Sequence, residues 1–125
     1  LVRVPHASGL LDGTVKEDTV FTEDDHRYHR VSTDERKRKW QLEGLQKVKQ
    51  LAFLIDGTGR TLGQAAIKFL LAQPPMASVL PNIYNEVLLR EFAAAPDVPD
   101  LAEEELARIS QLYADSFGVA TAPAV

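Results

Sequence analysis

Apolar positions along this chain recur with two different periods. Leu1-Val2-Arg3-Val4 and Met76-Ala77-Ser78-Val79-Leu80 are short, mostly apolar runs, each stopped by a proline, Pro5 or Pro81. They predict two short buried strands, Leu1–Val4 and Met76–Leu80. Elsewhere the spacing is helical. Leu45, Val48, Ala52 and Ile55, flanked by Leu51 and Trp40, predict one face of a long helix from Thr33 to Asp56, stopped by Gly57-Thr58-Gly59. Leu62–Gln73 is apolar almost all round and expects cover on several sides before Pro74-Pro75 ends it. Asn85 reads as an N-cap, followed by a helix with Leu88, Leu89 and Phe92 on one face. Leu106, Ile109, Leu112 and Tyr113 mark the buried stripe of a last helix, closed by Gly118, and Val119–Val125 should fray. Ser32 with Glu35, Thr61 with Gln64, and Asp100 with Glu103 have the spacing of capping boxes. Leu11–Val31 is polar, shows no period and reads as a loop.

Strand, long excursion, helices, strand, helix: that order predicts a parallel pair of strands joined by a helical crossover. Two parallel strands cannot form a sheet covered on both faces, so the missing strands must come from elsewhere. The fold class expected is α/β, predominantly helical with two short parallel strands, as in the C-terminal portion of a (β/α)8 TIM barrel. The expected divisions are strand and loop at 1–11, long loop at 12–31, helices at 32–75, second strand and helix at 76–95, and a closing helix at 100–118. The chain opens on Leu-Val-Arg-Val as if inside a strand, which gives the expectation of a fragment.

A strand running into a helix start aims free N–H groups and the positive dipole end at one spot, which suits a phosphate. Asn82–Asn85 is such a corner, and Ala7-Ser8-Gly9 is small enough to let a ligand approach the backbone. An ordinary βα corner and a plain tight turn remain open for these segments. On a barrel both would lie on one rim, where phosphates often bind after the seventh and eighth strands. Asp24, Asp25, His26 and His29 lack the spacing of a catalytic zinc motif and read as a solvated loop, so no metal site is expected. Arg36-Lys37-Arg38-Lys39 reads as a solvated helix face.

Composition narrows the class. The 125 residues carry a net charge of −4, which disfavours nucleic acid or an anionic membrane as partner. No apolar run approaches the roughly 20 residues of a membrane span. The absence of cysteine fits a reducing, cytoplasmic compartment.

Four segments in order resemble the aldo/keto reductases. Val4-Pro5-His6-Ala7-Ser8-Gly9-Leu10-Leu11 is similar to the family's seventh-strand motif S-P-L-A-x-G-L-L, and Thr61–Leu71 to its T-x-x-Q-x-A-L-x-W-L-L helix. Ser78-Val79-Leu80-Pro81 is similar to S-V-I-P-G, and Leu101–Leu106 to L-S-E-E-E-L. The resemblance implies a barrel that transfers hydride between NADP or NAD and a small aldehyde or ketone. It places the pyrophosphate and nearby ribose at Pro5, His6, Ala7, Ser8, Gly9 and Leu10. It places the adenosine end at Pro81, Asn82, Tyr84 and Asn85. The chain departs from the pattern where Asn82 replaces the family's Gly, Tyr84 replaces an Arg or Ser, and Val87 and Glu91 replace a Gln and an Asn. Glu91 would repel a 2′-phosphate, which leaves NAD against NADP open. Tyr84 is left with two roles, stacking on adenine or covering the helix end.

The family's catalytic Asp, Tyr, Lys and His lie on earlier segments, and Tyr28, Tyr84 and Tyr113 match none of those positions. No catalytic residue is assigned, and the piece alone is expected to be inactive. If isolated, it should leave Val2, Val4, Val79 and Leu80 without barrel partners and self-associate. The competing expectation is a non-enzymatic helical protein-interaction domain.

Overall fold

The computed structural model describes residues 1–30 and 33–119. Its two strands, β1 (Val2–Arg3) and β2 (Val79–Leu80), pair in parallel with Val2 opposite Val79 and Arg3 opposite Leu80. The described residues also form five α-helices, three between the strands and two after β2: α1 (His26–Arg30), α2 (Asp34–Lys49), α3 (Leu62–Leu71), α4 (Glu86–Ala93) and α5 (Glu103–Ala114).

The strands are shorter and more exposed than the apolar runs predict. Leu1 is 79% and Leu80 56% exposed, and Met76, Ala77 and Ser78 lie outside β2. Each strand has one neighbour, so neither is enclosed. Val4, with φ +56°, bends the chain out of β1 just before Pro5. Side chains alternate across a strand, and the register decides which way they face. Val79 packs on the core, and Val2 lines a groove with residues of α3. Arg3 and Leu80 therefore share the opposite, exposed face. Val2 and Val79 face the helices, which corrects the expectation that they point into a barrel interior with Leu80.

α3 is the centre of the packing. Thr61 Oγ1 accepts from the Gln64 N–H at 3.2 Å and Gln64 Oε1 from the Thr61 N–H at 3.0 Å, completing the expected capping box. One side of α3 contributes Ile67 to a cluster with Leu88, Phe92 and Ala95. Another contributes Ala65 to a cluster with Leu54 and Leu101, against which Phe53, Phe69, Leu106 and Ile109 pack. Cover on two sides is what an almost wholly apolar helix requires. Its polar residues are tied as well: Gln64 donates to the Glu91 carbonyl at 2.9 Å, and Lys68 to the Pro96 carbonyl at 3.1 Å and Asp100 at 2.7 Å.

Several sequence expectations need correction. The long helix stops at Lys49, and a 3₁₀ turn follows at Ala52–Leu54. That break changes the phase of the residues after it. Leu54 becomes the buried one, while Ala52 is exposed and Ile55 half-buried. The only fully buried residue of α2 is Gln41, whose amide donates to the Lys16 carbonyl and, at 3.1 Å, to that of Thr19. The expected cap Ser32 lies outside the described residues; Thr33 accepts from the Arg36 N–H at 3.2 Å. The polar 12–31 segment contains α1, and its Val15 is 1% exposed.

Asp100 pairs with Lys68 instead of capping α5, where Glu105 accepts from the Ala102 N–H at 2.9 Å. α5 ends at Ala114, before Gly118, and Tyr113, expected in a buried stripe, is 79% exposed. Leu89, expected on the buried face of α4 with Leu88 and Phe92, is 49% exposed. Val119 is described, and the rest of the tail expected to fray, Ala120–Val125, lies outside the described residues.

Between β1, α3 and α5 runs an apolar groove of about 590 Å³, lined by Val2, Leu54, Leu62, Ala65, Phe69 and Ile109 among others.

Candidate functional site

Parallel pairing carries both candidate loops to the same edge of the sheet. The segment after β1 and the segment after β2 leave the C-terminal ends of adjacent strands, where α/β folds place their ligands. Between them is a shallow hollow lined by Val4, Pro5, His6, Ser8, Gly9, Asp12, Asn82 and Tyr84. Its volume is about 10 Å³, the room of roughly one water molecule.

The first loop is tightly wound. Ala7 (φ +49°), Ser8 (φ +58°) and Gly9 (φ +103°) are all left-handed. With Val4, that puts three non-glycine residues of one short loop in a sparsely populated region. Such outliers persist only where the surroundings enforce them, and they cluster at ligand clamps. Here the surroundings are explicit. The Gly9 and Leu11 N–H groups donate to the His6 carbonyl at 3.1 and 3.0 Å. Arg27 Nη1 donates to the Ser8 carbonyl at 3.0 Å. Behind the loop, His6 Nε2 lies 2.9 Å from the Gly63 carbonyl, and its ring stacks on Phe92 at 4.3 Å.

The His6 side chain is thus turned into the packing between α3 and α4, and its part in any ligand contact falls to its backbone. Leu10 is buried and lies against Gly44 of α2, where an added Cβ would meet Leu10 Cδ1 at 2.6 Å. Ala7 opens instead on a neighbouring cleft.

On the other side, Asn85 Oδ1 accepts from the Leu88 N–H at 2.9 Å, as expected of the N-cap of α4. The first-turn N–H groups of Glu86 and Val87 have no partner within the helix. Asn82 and Tyr84 border the hollow, with Tyr84 54% exposed; Pro81 and Asn85 flank it. Glu91 does not face the hollow. Its Oε1 accepts from Thr61 Oγ1 at 2.5 Å, at the start of α3.

Arg27 is the functional candidate that periodicity missed, because it sits in a polar loop with no repeating pattern. It joins the two sides of the rim. While donating to Ser8, it forms a fork with Asp25 at 2.9 and 2.5 Å and covers the Phe21 ring at 4.5 Å. It also approaches the Tyr84 ring at 5.9 Å. The hydrogen bonds from Arg27 hold the Asp25 carboxyl at about 2, below its ordinary 3.8.

A group whose proton affinity is lowered by folding stabilises the fold above its unfolded pKa, near 4, and loses that contribution as pH falls through the folded value. The rim should therefore weaken between about pH 4 and pH 2. Acid titration of thermal stability should show that slope, and Asp25→Asn should flatten it. The other three residues weighed as a metal group are engaged nearby: Asp24 accepts from Thr22 Oγ1, His26 Nδ1 lies 3.7 Å from Asp25 Oδ1, and His29 Nε2 lies 2.8 Å from the Glu23 carbonyl. Among the described residues, no group of three or more His, Cys, Asp or Glu is placed to hold a metal. No described helix is long and apolar enough to cross a membrane.

The chain belongs to the aldo/keto reductase family, whose model matches residues 2–114. No curated protein and no solved structure matches it. The family consists of oxidoreductases of carbonyl substrates that use NAD(P)H on a TIM-barrel fold.

Proposed function

We propose that this chain forms the closing part of an aldo/keto reductase barrel and holds the diphosphate of a nicotinamide dinucleotide, NADP or NAD, across the rim between Pro5–Leu10 and Pro81–Asn85. The observation that carries this reading is the parallel pairing of β1 with β2, which sets the two loops side by side at the C-terminal ends of the strands. The open groove beside α3 and the bare face carrying Arg3 and Leu80 support the barrel part: a parallel pair is stable when both faces are covered. The same exposed surface gives the piece, if isolated, a reason to self-associate.

The fit to a dinucleotide is through backbone and shape. The left-handed turn at Ala7–Gly9 offers close backbone approach, and the α4 start offers N–H donors and a positive dipole end. Asp12 brings a negative charge to the rim, engaged by the Thr14 N–H at 2.9 Å and hydroxyl at 2.6 Å. The hollow is too small for a phosphate as it stands, so Tyr84 must swing outward, freeing its ring to lie on the adenine. Glu91, drawn to Thr61, leaves a 2′-phosphate without the repulsion that its sequence position suggests. When bound, the dinucleotide supplies the hydride. The residues that protonate the carbonyl would lie on other strands of the barrel.

Titration of the protein with NADPH and NADH, followed by nicotinamide fluorescence, tests the reading. The double substitution Ser8→Ala with Tyr84→Ala should weaken binding about tenfold. Unchanged saturable binding would remove the site from this rim.

A further inference from the structure

Beside the rim, on the far side of Ser8 from the hollow, lies a second and larger cleft of about 350 Å³. We propose that it binds the carboxylate end of a flat, apolar-bodied carbonyl compound, so that the substrate class is an aromatic or conjugated keto or aldehyde acid. The assignment as substrate rests on the oxidoreductase reading above; the binding of a flat carboxylate does not.

Four side chains carry the inference. Arg27 and Lys37 line the cleft with Phe21 and Trp40, over a floor that includes Ala7 and Ser8. Both cations are largely withdrawn from solvent, with side chains 15% and 17% exposed. Among the described residues, no acidic side chain lines the cleft. Arg27 is balanced by Asp25. Lys37 is balanced poorly among the described residues: its carboxylate partner, Asp34, is 3.5 Å away and fully exposed, and its ammonium lies over the Tyr28 ring at 4.2 Å. An ammonium carries three donors, and withdrawal from water without a close anion is costly. An incoming carboxylate would meet that need.

The rest of the wall is aromatic. The Phe21 and Trp40 rings lie 6.5 Å apart and inclined at 49°, and the Arg27 guanidinium lies over the Phe21 ring at 4.5 Å. A flat apolar body fits such walls, and a carboxylate at its end would reach Lys37. A compact, fully hydrated anion would leave the rings with nothing to cover.

Trp40, the sequence's single tryptophan, reports directly on occupancy. Benzoate should change Trp40 fluorescence saturably, with a Kd that matches direct binding by calorimetry. Neutral benzamide should bind about tenfold more weakly. Lys37→Met, which keeps the stem, should raise the benzoate Kd about tenfold, and Lys37→Arg should largely restore it. Equal binding of benzamide and benzoate, or a Lys37→Met variant with unchanged affinity, overturns the proposal.

Inorganic phosphate or NADPH displacing benzoate competitively also overturns it, because the cleft would then belong to the dinucleotide. Benzoate binding that survives Asn82→Ala, at a residue that borders the hollow and not this cleft, while NADPH binding falls, separates this cleft from the rim site. Failure of either reading is thus visible without the other.

Discussion

Arg60→Met should lower the unfolding free energy by about 3–5 kcal/mol, close to the whole stability of a marginal domain. The Arg60 side chain is 2% exposed. Its Nε donates to the Leu54 carbonyl at 3.1 Å, and its Nη1 to the Pro99 and Asp100 carbonyls at 3.2 and 2.9 Å. Its Nη2 donates to Glu105. One planar fork thereby fixes the turn before α3, the linker after α4 and the first turn of α5. Removing it takes the guanidinium from Glu105 Oε2 and from the Pro99 and Asp100 carbonyls, while the Leu54 carbonyl keeps Thr58 Oγ1 at 3.0 Å; such groups cost more unpaired than the pair contributes when made. Arg60→Lys should rescue little, since a point charge cannot reach four acceptors spread across a plane. Glu105→Gln added to Arg60→Met should recover part of the loss. Urea unfolding of the three variants measures this; a loss under about 1 kcal/mol for Arg60→Met would show that the fork is not the tie.

Gly9→Ala should destabilise by about 2–4 kcal/mol, from backbone strain and overpacking together. Gly9 sits at φ +103°, and a Cβ there would meet Thr14 Oγ1 at 2.6 Å, Arg27 Nη1 at 2.9 Å and Val15 Cγ2 at 2.9 Å. Thr14 and the end of Arg27 can yield. Val15 cannot, being 1% exposed with its N–H on the Gly9 carbonyl at 3.1 Å. Gly13→Ala is the control: φ is +79° but the space is open, so only the strain of about 1 kcal/mol remains. The difference between the two, read by thermal or urea unfolding, isolates the crowding. Equal effects would mean that the loop relaxes freely. Because Arg27 reaches Ser8 across this point, Gly9→Ala should also weaken dinucleotide binding where Gly13→Ala does not.

Local signals read well from the residues. Thr61 with Gln64 and Asn85 act as the caps their positions announce, and the order of elements predicts the parallel pair that the structure shows. These features depend on neighbours three or four residues away, or on connection length. What the residues concealed depends on distant partners. Asp100 satisfies a capping pattern, yet Lys68 of α3 takes it, leaving Glu105 to close the α5 box. Leu54 replaces Ala52 in the core because the helix breaks after Lys49, a shift of phase that no hydrophobic count records. Arg60 and Gln41 tie to backbone carbonyls, which have no side-chain signature at all.

The candidate rim shows the same division. The loop sequences were legible; their adjacency to Arg27, and the cleft of Phe21, Lys37 and Trp40 behind it, were not, since Arg27 and Phe21 come from a segment without period and meet Lys37 and Trp40 of α2 only in the fold.

The ladder between Val2 and Val79 joins residues 77 positions apart along the chain. Closing so long a loop is entropically expensive and is repaid only after the intervening helices have packed. The first strand should therefore dock last during folding and peel away first in native-state fluctuations. A bound dinucleotide spanning both loops would act as a clasp on that seam, so amide exchange at Val2 and Arg3 would slow in its presence more than exchange within α3.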